Sequence, residues 1–249
     1  MRALSLLVVV GAHGLEIPPT PFGARRLILV RHGAVARELH EPPVKPGALY
    51  GGNVDVPLSQ LGEEEAAAAA AFIETNCFDV RVIFSSPMKR ALYGARSVCD
   101  VLKPSVVGGL EVCTSSALRE IDRGEWTNKT RDEIAAQWGA DAFERAARED
   151  EFAGIYGGEG MGQLRERVLG CRDFILKRLQ PDMSAVIVSH LWVTRCLLAD
   201  ALGEPDVLNV DVPTASISII DYGDGSWPAA VASEQPTVVL SGFEPPLPE

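Results

Sequence analysis

The stretch Leu27-Ile28-Leu29-Val30-Arg31-His32-Gly33 decides how the rest of the chain is read. Four aliphatic residues follow one another without a polar break, as in a strand buried on both faces of a parallel sheet. The run then stops in a cation, an imidazole and a glycine. In open α/β sheets, ligands are met just past the carboxyl ends of the strands, so this ending marks a place for chemistry. The pattern recurs downstream. Val80-Arg81-Val82-Ile83-Phe84 runs into Ser85-Ser86-Pro87-Met88-Lys89-Arg90, and Ala185-Val186-Ile187-Val188 runs into Ser189-His190. Glu111-Val112-Cys113 and Ile217-Ser218-Ile219-Ile220 are further strand candidates.

Helical patterns lie between these runs. Ser59 is a candidate N-cap for the Ala- and Glu-rich run from Glu63 to Ile73, whose residues have high helix propensity. Pro87 is placed to open a second helix in its first turn, through about Leu102, with Arg90 in that turn. Leu164, Val168, Cys171, Ile175 and Leu179 form one apolar stripe on a third. A fourth follows His190 and stops at Gly203. Strands alternating with helices predict an α/β protein, a three-layer α/β/α sandwich around a mainly parallel sheet.

The globular domain is expected over residues 25–249, with the Pro-rich end from Phe243 to Glu249 as a tail. Residues 1–24 are expected as an N-terminal extension, because the Pro- and Gly-rich stretch from Gly14 to Gly23 opposes regular structure. Met1-Arg2 followed by an apolar run to Ala12 has the outline of a short targeting peptide, or of an appended strand. A cytoplasmic protein is the expectation, and an organellar or secreted one the alternative through residues 1–12.

Composition narrows the function. With 249 residues and a formal net charge of −11, the chain has the size of one ordinary globular domain or two small ones. Its overall field repels polyanions, so neither nucleic acid nor an acidic membrane surface is an expected partner. No apolar run approaches the roughly 18 residues of a membrane-spanning helix. Five scattered cysteines without C-x-x-C spacing fit neither a disulfide framework nor a structural zinc site and read as reduced, mostly core residues. There are only four histidines, His13, His32, His40 and His190. His13 and His40 sit in Gly- or Pro-rich stretches and read as loop residues.

His32 and His190, with Arg31 and Arg90, would meet at one edge of the sheet. Such a set suits a phosphoryl group. Guanidinium forks hold its oxygens, and a neutral imidazole can attack phosphorus in line, dividing one displacement into two through a phosphohistidine. The departing alkoxide needs a proton from a nearby carboxylic acid, which then activates water. Glu120 and Asp122, in Leu118-Arg119-Glu120-Ile121-Asp122-Arg123-Gly124-Glu125-Trp126, are the candidates. No metal is expected, because arginines beside both histidines oppose a cation. Competing sites lack their anchors: Val8 to Gly14 has no complete G-x-G-x-x-G, and the chain contains neither G-x-S-x-G nor a Walker loop.

These blocks, in this order, resemble the histidine phosphatase superfamily, which includes the cofactor-dependent phosphoglycerate mutases and the α-ribazole phosphatases. Leu29-Val30-Arg31-His32-Gly33 is similar to the signature loop, Asp55 to Gly62 to a second block, and Phe84 to Ala91 to a third. Leu118 to Trp126 is similar to the acid loop, Gly157-Gly158-Glu159 to the start of the penultimate helix, and Val188-Ser189-His190 to the second histidine motif. The resemblance implies a phosphoglycerate mutase-like fold, with His32 as nucleophile, Arg31 and Arg90 as phosphate clamps, and His190 as a donor to the phosphoryl oxygens. It implies Glu120 as acid and base, because Glu120 stands four residues before Gly124 as the family's acid does.

The departures bear on substrate. The mutases follow the signature with a Glu, a hydroxyl residue and an Asn, where this chain has Ala34, Val35 and Glu38. Leu191-Trp192 replaces small residues, and Trp192 either lines the substrate pocket or packs beneath it. The mutases' long acid-loop insertion has no clear counterpart between Trp126 and Gly157. The expectation is a phosphatase for small phosphorylated metabolites, needing no cofactor, in the α-ribazole phosphatase or broad-specificity branch. The alternatives are a phosphoglycerate mutase and a non-catalytic binding protein that keeps the fold. Nothing in the sequence speaks to oligomeric state.

Overall fold

A computed structural model describes residues 10–11, 14–77, 79–103, 109–223 and 236–247. Most of the candidate targeting segment, and His13, lie outside the described residues. Val10–Gly11 (β1) and Gly14–Leu15 (β2) form a two-residue antiparallel ladder. The main sheet is built from β3 (Arg25–Arg31), β4 (Val80–Ser85), β5 (Val112–Thr114), β6 (Met183–Ser189), β7 (Ile217–Tyr222) and β8 (Thr237–Phe243). Its order is β5-β4-β6-β3-β7-β8. The first four in that order are parallel, and β7 and β8 add antiparallel pairs.

Alternation along each central strand explains why the sheet is covered on both faces. Leu27, Leu29, Ala185 and Ile187 point into one apolar cluster and Ile28, Val30, Val186 and Val188 into the other. The first cluster is roofed by α6 (Met161–Arg178) and α7 (Leu191–Leu202), through Leu164, Val168, Ile175, Val193 and Leu197. The second is roofed by α1 (Gln60–Asn76) and α2 (Lys89–Leu102), through Ala69, Ile73, Ala91, Ala95 and Val98. The architecture is the expected α/β sandwich with a mostly parallel sheet.

The helix ends follow local chemistry. Ser59 caps α1, its hydroxyl accepting from the Gly62 amide at 3.1 Å, a bond of a kind that contributes about 1 kcal/mol. Gly203 closes α7 at φ 66°, in the left-handed region that glycine reaches without a steric penalty. Pro87 does not open α2: Met88 is its N-cap and the helix begins at Lys89, which still leaves Arg90 in the first turn.

Three parts of the chain differ from the sequence expectation. Phe243, expected in the C-terminal tail, ends β8 and packs on Phe72 with ring centroids 4.9 Å apart. The Thr237-Val238-Val239-Leu240 run pairs with β7, so the sheet extends one strand beyond the Ile217-Ser218-Ile219-Ile220 run. Residues 127–156, for which the sequence predicts no element, fold into α3 (Arg131–Trp138), α4 (Ala142–Arg148) and α5 (Asp150–Ile155). They enclose a separate apolar cluster around Trp126, whose ring stacks on Tyr156 at 4.0 Å. Finally, the stretch before β3 is irregular beyond Leu15, as expected, yet it is attached: Leu15 and Ile17 pack on the core and the Pro18 carbonyl accepts from Arg26 at 2.7 Å.

Candidate active site

Strand register assembles the site. Parallel pairing of β3 with β6 sets Arg31 opposite Ser189, so the next residues, His32 and His190, leave the sheet side by side. Their ring centroids are 5.1 Å apart. On the other flank of β6, Ser85 pairs with Val188, which brings Ser86 beside His190 and α2 with Arg90 over the same edge.

His32 is 4% exposed and its Nδ1 lies 2.8 Å from the Gly33 carbonyl. That carbonyl accepts a proton on Nδ1 and leaves the lone pair on Nε2, towards which Arg90 Nε donates at 3.3 Å. Burial first, then the charges of Arg90 and Arg31, hold the imidazole well below its ordinary pKa, so it is neutral near pH 7. His190 is fully buried and is likewise kept neutral by burial, then by Arg90. Its Nε2 lies 2.8 Å from Ser86 Oγ. Ser86 Oγ also accepts from the Met88 amide, and where its hydroxyl proton goes to Nε2 the ring proton of His190 lies on Nδ1.

Each guanidinium is anchored at one nitrogen and unpaired at another. Arg31 Nη1 donates to the Val212 carbonyl at 2.7 Å and Arg90 Nη1 to the Val54 carbonyl at 2.9 Å. Arg31 Nε, Arg90 Nη2 and His190 Nδ1 are buried with no hydrogen-bond partner among the described residues. A buried donor left unsatisfied costs about 1–3 kcal/mol, so three such donors around one imidazole describe a site built for an anion.

Glu120 stands beyond β5 and a single 3-10 turn, Ser116–Leu118. Its carboxyl accepts from its neighbour Ile121 at 3.0 Å and from the Trp192 amide, in the first turn of α7, at 3.2 Å. Burial raises its pKa; the Ile121 amide, Arg123, Arg90 and Arg31 oppose that rise without cancelling it. Asp122 is exposed and engaged with the Gly124 amide at 2.9 Å, outside this cluster. Thus Arg31, His32, Arg90, Glu120 and His190 come together, while His40 is a bend residue 2.8 Å from the Pro42 carbonyl. Four cysteines are buried and Cys113 is exposed, all of them free.

Two neighbours of the site, Ser86 and Tyr50, carry no sequence signal strong enough to single out. Ser86 orients His190, yet a serine after a strand is too common to stand out. Tyr50 lays its ring against both Arg37 and Arg90, 4.7 and 5.2 Å from the guanidinium carbons. Trp192 lines a cavity rather than packing beneath one, with Arg123 4.7 Å from its ring. Among the described residues no helix is long and apolar enough to cross a membrane.

Comparison with known proteins gives the family. The profile of the histidine phosphatase superfamily (branch 1) matches residues 27–234. Phosphoserine phosphatase 1 of Hydrogenobacter thermophilus is 30% identical over 178 residues, 72% of this chain and 76% of that protein. The 2,3-bisphosphoglycerate-dependent phosphoglycerate mutase of Methylobacterium radiotolerans is 29% identical over 214 residues, 79% and 96% of the two chains. Among solved structures, a protein described as mycobacterial hydrolase 2 shares the fold with a TM-score of 0.70 at 24% identity, over 91% of this chain and 93% of its own. With its sheet order, its strand-end histidines and a match across most of its length, the chain belongs to the histidine phosphatase superfamily, branch 1.

Proposed function

We propose that the protein is a phosphomonoesterase that hydrolyses small phosphate esters through a phosphohistidine on His32, with no metal. The observation that carries this reading is the set of three buried, unpartnered donors, Arg31 Nε, Arg90 Nη2 and His190 Nδ1, around a neutral imidazole. They match the oxygens of a phosphoryl group and stabilise its charge as it passes between oxygen and nitrogen. Two guanidiniums also supply the positive charge that a divalent cation provides in other phosphoryl-transfer sites.

In the first step the Nε2 lone pair of His32 attacks phosphorus and the ester P–O bond breaks. Glu120, whose acid form burial favours, gives its proton to the departing alkoxide. In the second step the Glu120 carboxylate takes a proton from water, whose oxygen attacks phosphorus. The P–N bond breaks, inorganic phosphate forms, and His32 is again neutral. The named relatives, a phosphoserine phosphatase and a phosphoglycerate mutase, both handle phosphate esters of small metabolites.

The test is phosphate release from a panel of phosphomonoesters in the presence of chelator, beside interconversion of phosphoglycerates, with His32→Ala as control. Release by the wild type alone is expected. Phosphoglycerate interconversion without release would make the chain a mutase. Activity lost with chelator and restored by metal would overturn the metal-free mechanism.

A further inference from the structure

The donors of the phosphoryl site come from two guanidiniums and an imidazole, and the chain just beyond His32 adds none to them. Gly33, Ala34, Val35 and Ala36 carry no polar side chain. Tyr50 reaches the same edge of the sheet from a later loop. Its ring centroid lies 5.2 Å from the guanidinium carbon of Arg90 and 4.7 Å from that of Arg37. Arg31 is within electrostatic reach of the phenol as well, and on both Arg31 and Arg90 the phenol acts ahead of the Glu120 carboxyl. The residue is half-buried, and its hydroxyl has no hydrogen-bond partner among the described residues.

Tyr50 is fixed from several sides. The Leu49 amide donates to the Lys129 carbonyl at 2.9 Å, and the Leu49 carbonyl accepts from the Asn128 amide at 2.8 Å. The Gly52 amide donates to the Ile121 carbonyl at 2.9 Å, which ties the other flank to the acid loop. The ring packs on the small apolar cluster of Val44, Ala48, Val54 and Val56. Both cations beside it are bonded to its own loop, Arg37 Nη1 to the Ala48 carbonyl at 2.5 Å and Arg90 Nη1 to the Val54 carbonyl at 2.9 Å. A donor held in this way needs no reordering when charge develops nearby.

A phosphoryl group in transfer spreads its charge over three oxygens, each with more than one lone pair, so Arg31 Nε, Arg90 Nη2 and His190 Nδ1 do not saturate it. Resting on the phosphatase reading above, we propose that Tyr50 is a further catalytic residue, whose hydroxyl donates a hydrogen bond to a non-bridging oxygen of the phosphoryl group between Arg31 and Arg90. The phenol keeps its proton throughout, and no bond to it forms or breaks. A hydroxyl adds a donor without setting a third positive charge against the two arginines.

Tyr50→Phe tests it, because it removes the hydroxyl and leaves the ring beside Arg37 and Arg90. The donor acts on the phosphoryl group and not on the leaving oxygen, so an alkyl ester and an activated aryl ester should lose kcat/KM by the same factor, at least about tenfold. That separates Tyr50 from Glu120, whose loss weighs on alkyl esters. The Tm should stay within about 2 °C of wild type, since the hydroxyl bonds to no described residue. A merely structural role would lower Tm and leave the rate of the folded enzyme alone. An unchanged kcat/KM, or a loss confined to one class of ester, overturns the proposal.

Orthovanadate takes the five-coordinate geometry of a phosphoryl group in transfer, so calorimetric titration with it reads the donor without turnover. Wild type should bind it at least about tenfold more tightly than Tyr50→Phe does. Release of phosphate from neither ester by the wild type overturns the phosphatase reading, and the difference in vanadate affinity would still establish the donor. Vanadate binding that is absent, or equal in the two proteins, overturns the role of Tyr50 whatever the turnover.

Discussion

Arg90 donates through Nε to Nε2 of His32 at 3.3 Å, so the nitrogen facing the guanidinium is the unprotonated one. The geometry ties nucleophile and phosphate clamp into one unit. Only a neutral ring with its proton on Nδ1 accepts this bond, and the Gly33 carbonyl fixes that tautomer.

Replacing that ring should therefore stop the first chemical step. His32→Asn is expected to lower kcat by more than about a thousandfold, since removing a nucleophile costs far more than removing a binding contact. Rapid acid-free quenching of turnover on radiolabelled ester should trap a phosphoenzyme, labile to acid, in the wild type and none in the variant. A labelled variant would move the nucleophile elsewhere.

The pH profile follows from two opposed shifts. His32 must be neutral, and its pKa is held well below 6.5, so kcat/KM rises as pH rises through that lowered value. Glu120 must be protonated, and its pKa is raised above 4.5, so kcat/KM falls as pH rises through that raised value. An acid-shifted bell is expected. Glu120→Gln should remove the alkaline limb and slow alkyl esters by about a hundred- to ten-thousandfold, with activated aryl esters affected far less. Equal slowing of both classes would assign the proton to another group.

Inorganic phosphate should stabilise the fold by satisfying the three unpaired donors. At a hundredfold excess over Kd the gain is about 2.7 kcal/mol, or roughly 5–10 °C in Tm for a chain of this size. Scanning calorimetry with phosphate and with chloride at equal ionic strength checks it. Arg31→Met, which removes the Nε donor, should reduce the shift, and an identical shift in that variant would place phosphate elsewhere.

Gly52 sets the position of the acid loop. Its amide donates to the Ile121 carbonyl at 2.9 Å, and a Cβ on Gly52 would press into the backbone carbonyl of Glu120. Gly52→Ala should displace Glu120, lowering kcat for alkyl esters by up to about a hundredfold. The overpacking should cost about 1–3 kcal/mol in stability. Parallel measurement of urea unfolding and of leaving-group dependence separates the two effects. A loss of stability with unchanged kcat would confine Gly52 to packing.

Much of the sandwich was legible because its central strands are buried on both faces and advertise it as unbroken aliphatic runs. Each of those runs ends in the residue that matters, Arg31-His32, Ser189-His190, or the turn into Arg90. β8 was not legible because its Thr237-Val238-Val239-Leu240 run is short and lies next to the Pro-rich end at residues 243–249. The helices of residues 131–155 were missed although Thr130 and Glu133 form a capping box there, because their apolar residues face a small cluster around Trp126 instead of the sheet.

Local pattern by itself determined the alternation of strands and helices and the strand ends that carry His32, Arg90 and His190; it left Glu120 and Asp122 level as the acid, and the preference for Glu120 came from the resemblance to the family. Tertiary structure alone decided which neighbours those residues meet. Period-two alternation tells which face a side chain takes but not which strand lies beside it. It took the register of Arg31 against Ser189 to set the two imidazoles side by side. The hydroxyl that orients His190 is 104 residues away, and the amide that holds Glu120 is 72 residues away. Tyr50 meets Arg90 with all of α1 and β4 between them in the chain. Contacts at such separations arise from packing two helical layers on a twisted sheet, and no spacing along the chain encodes them.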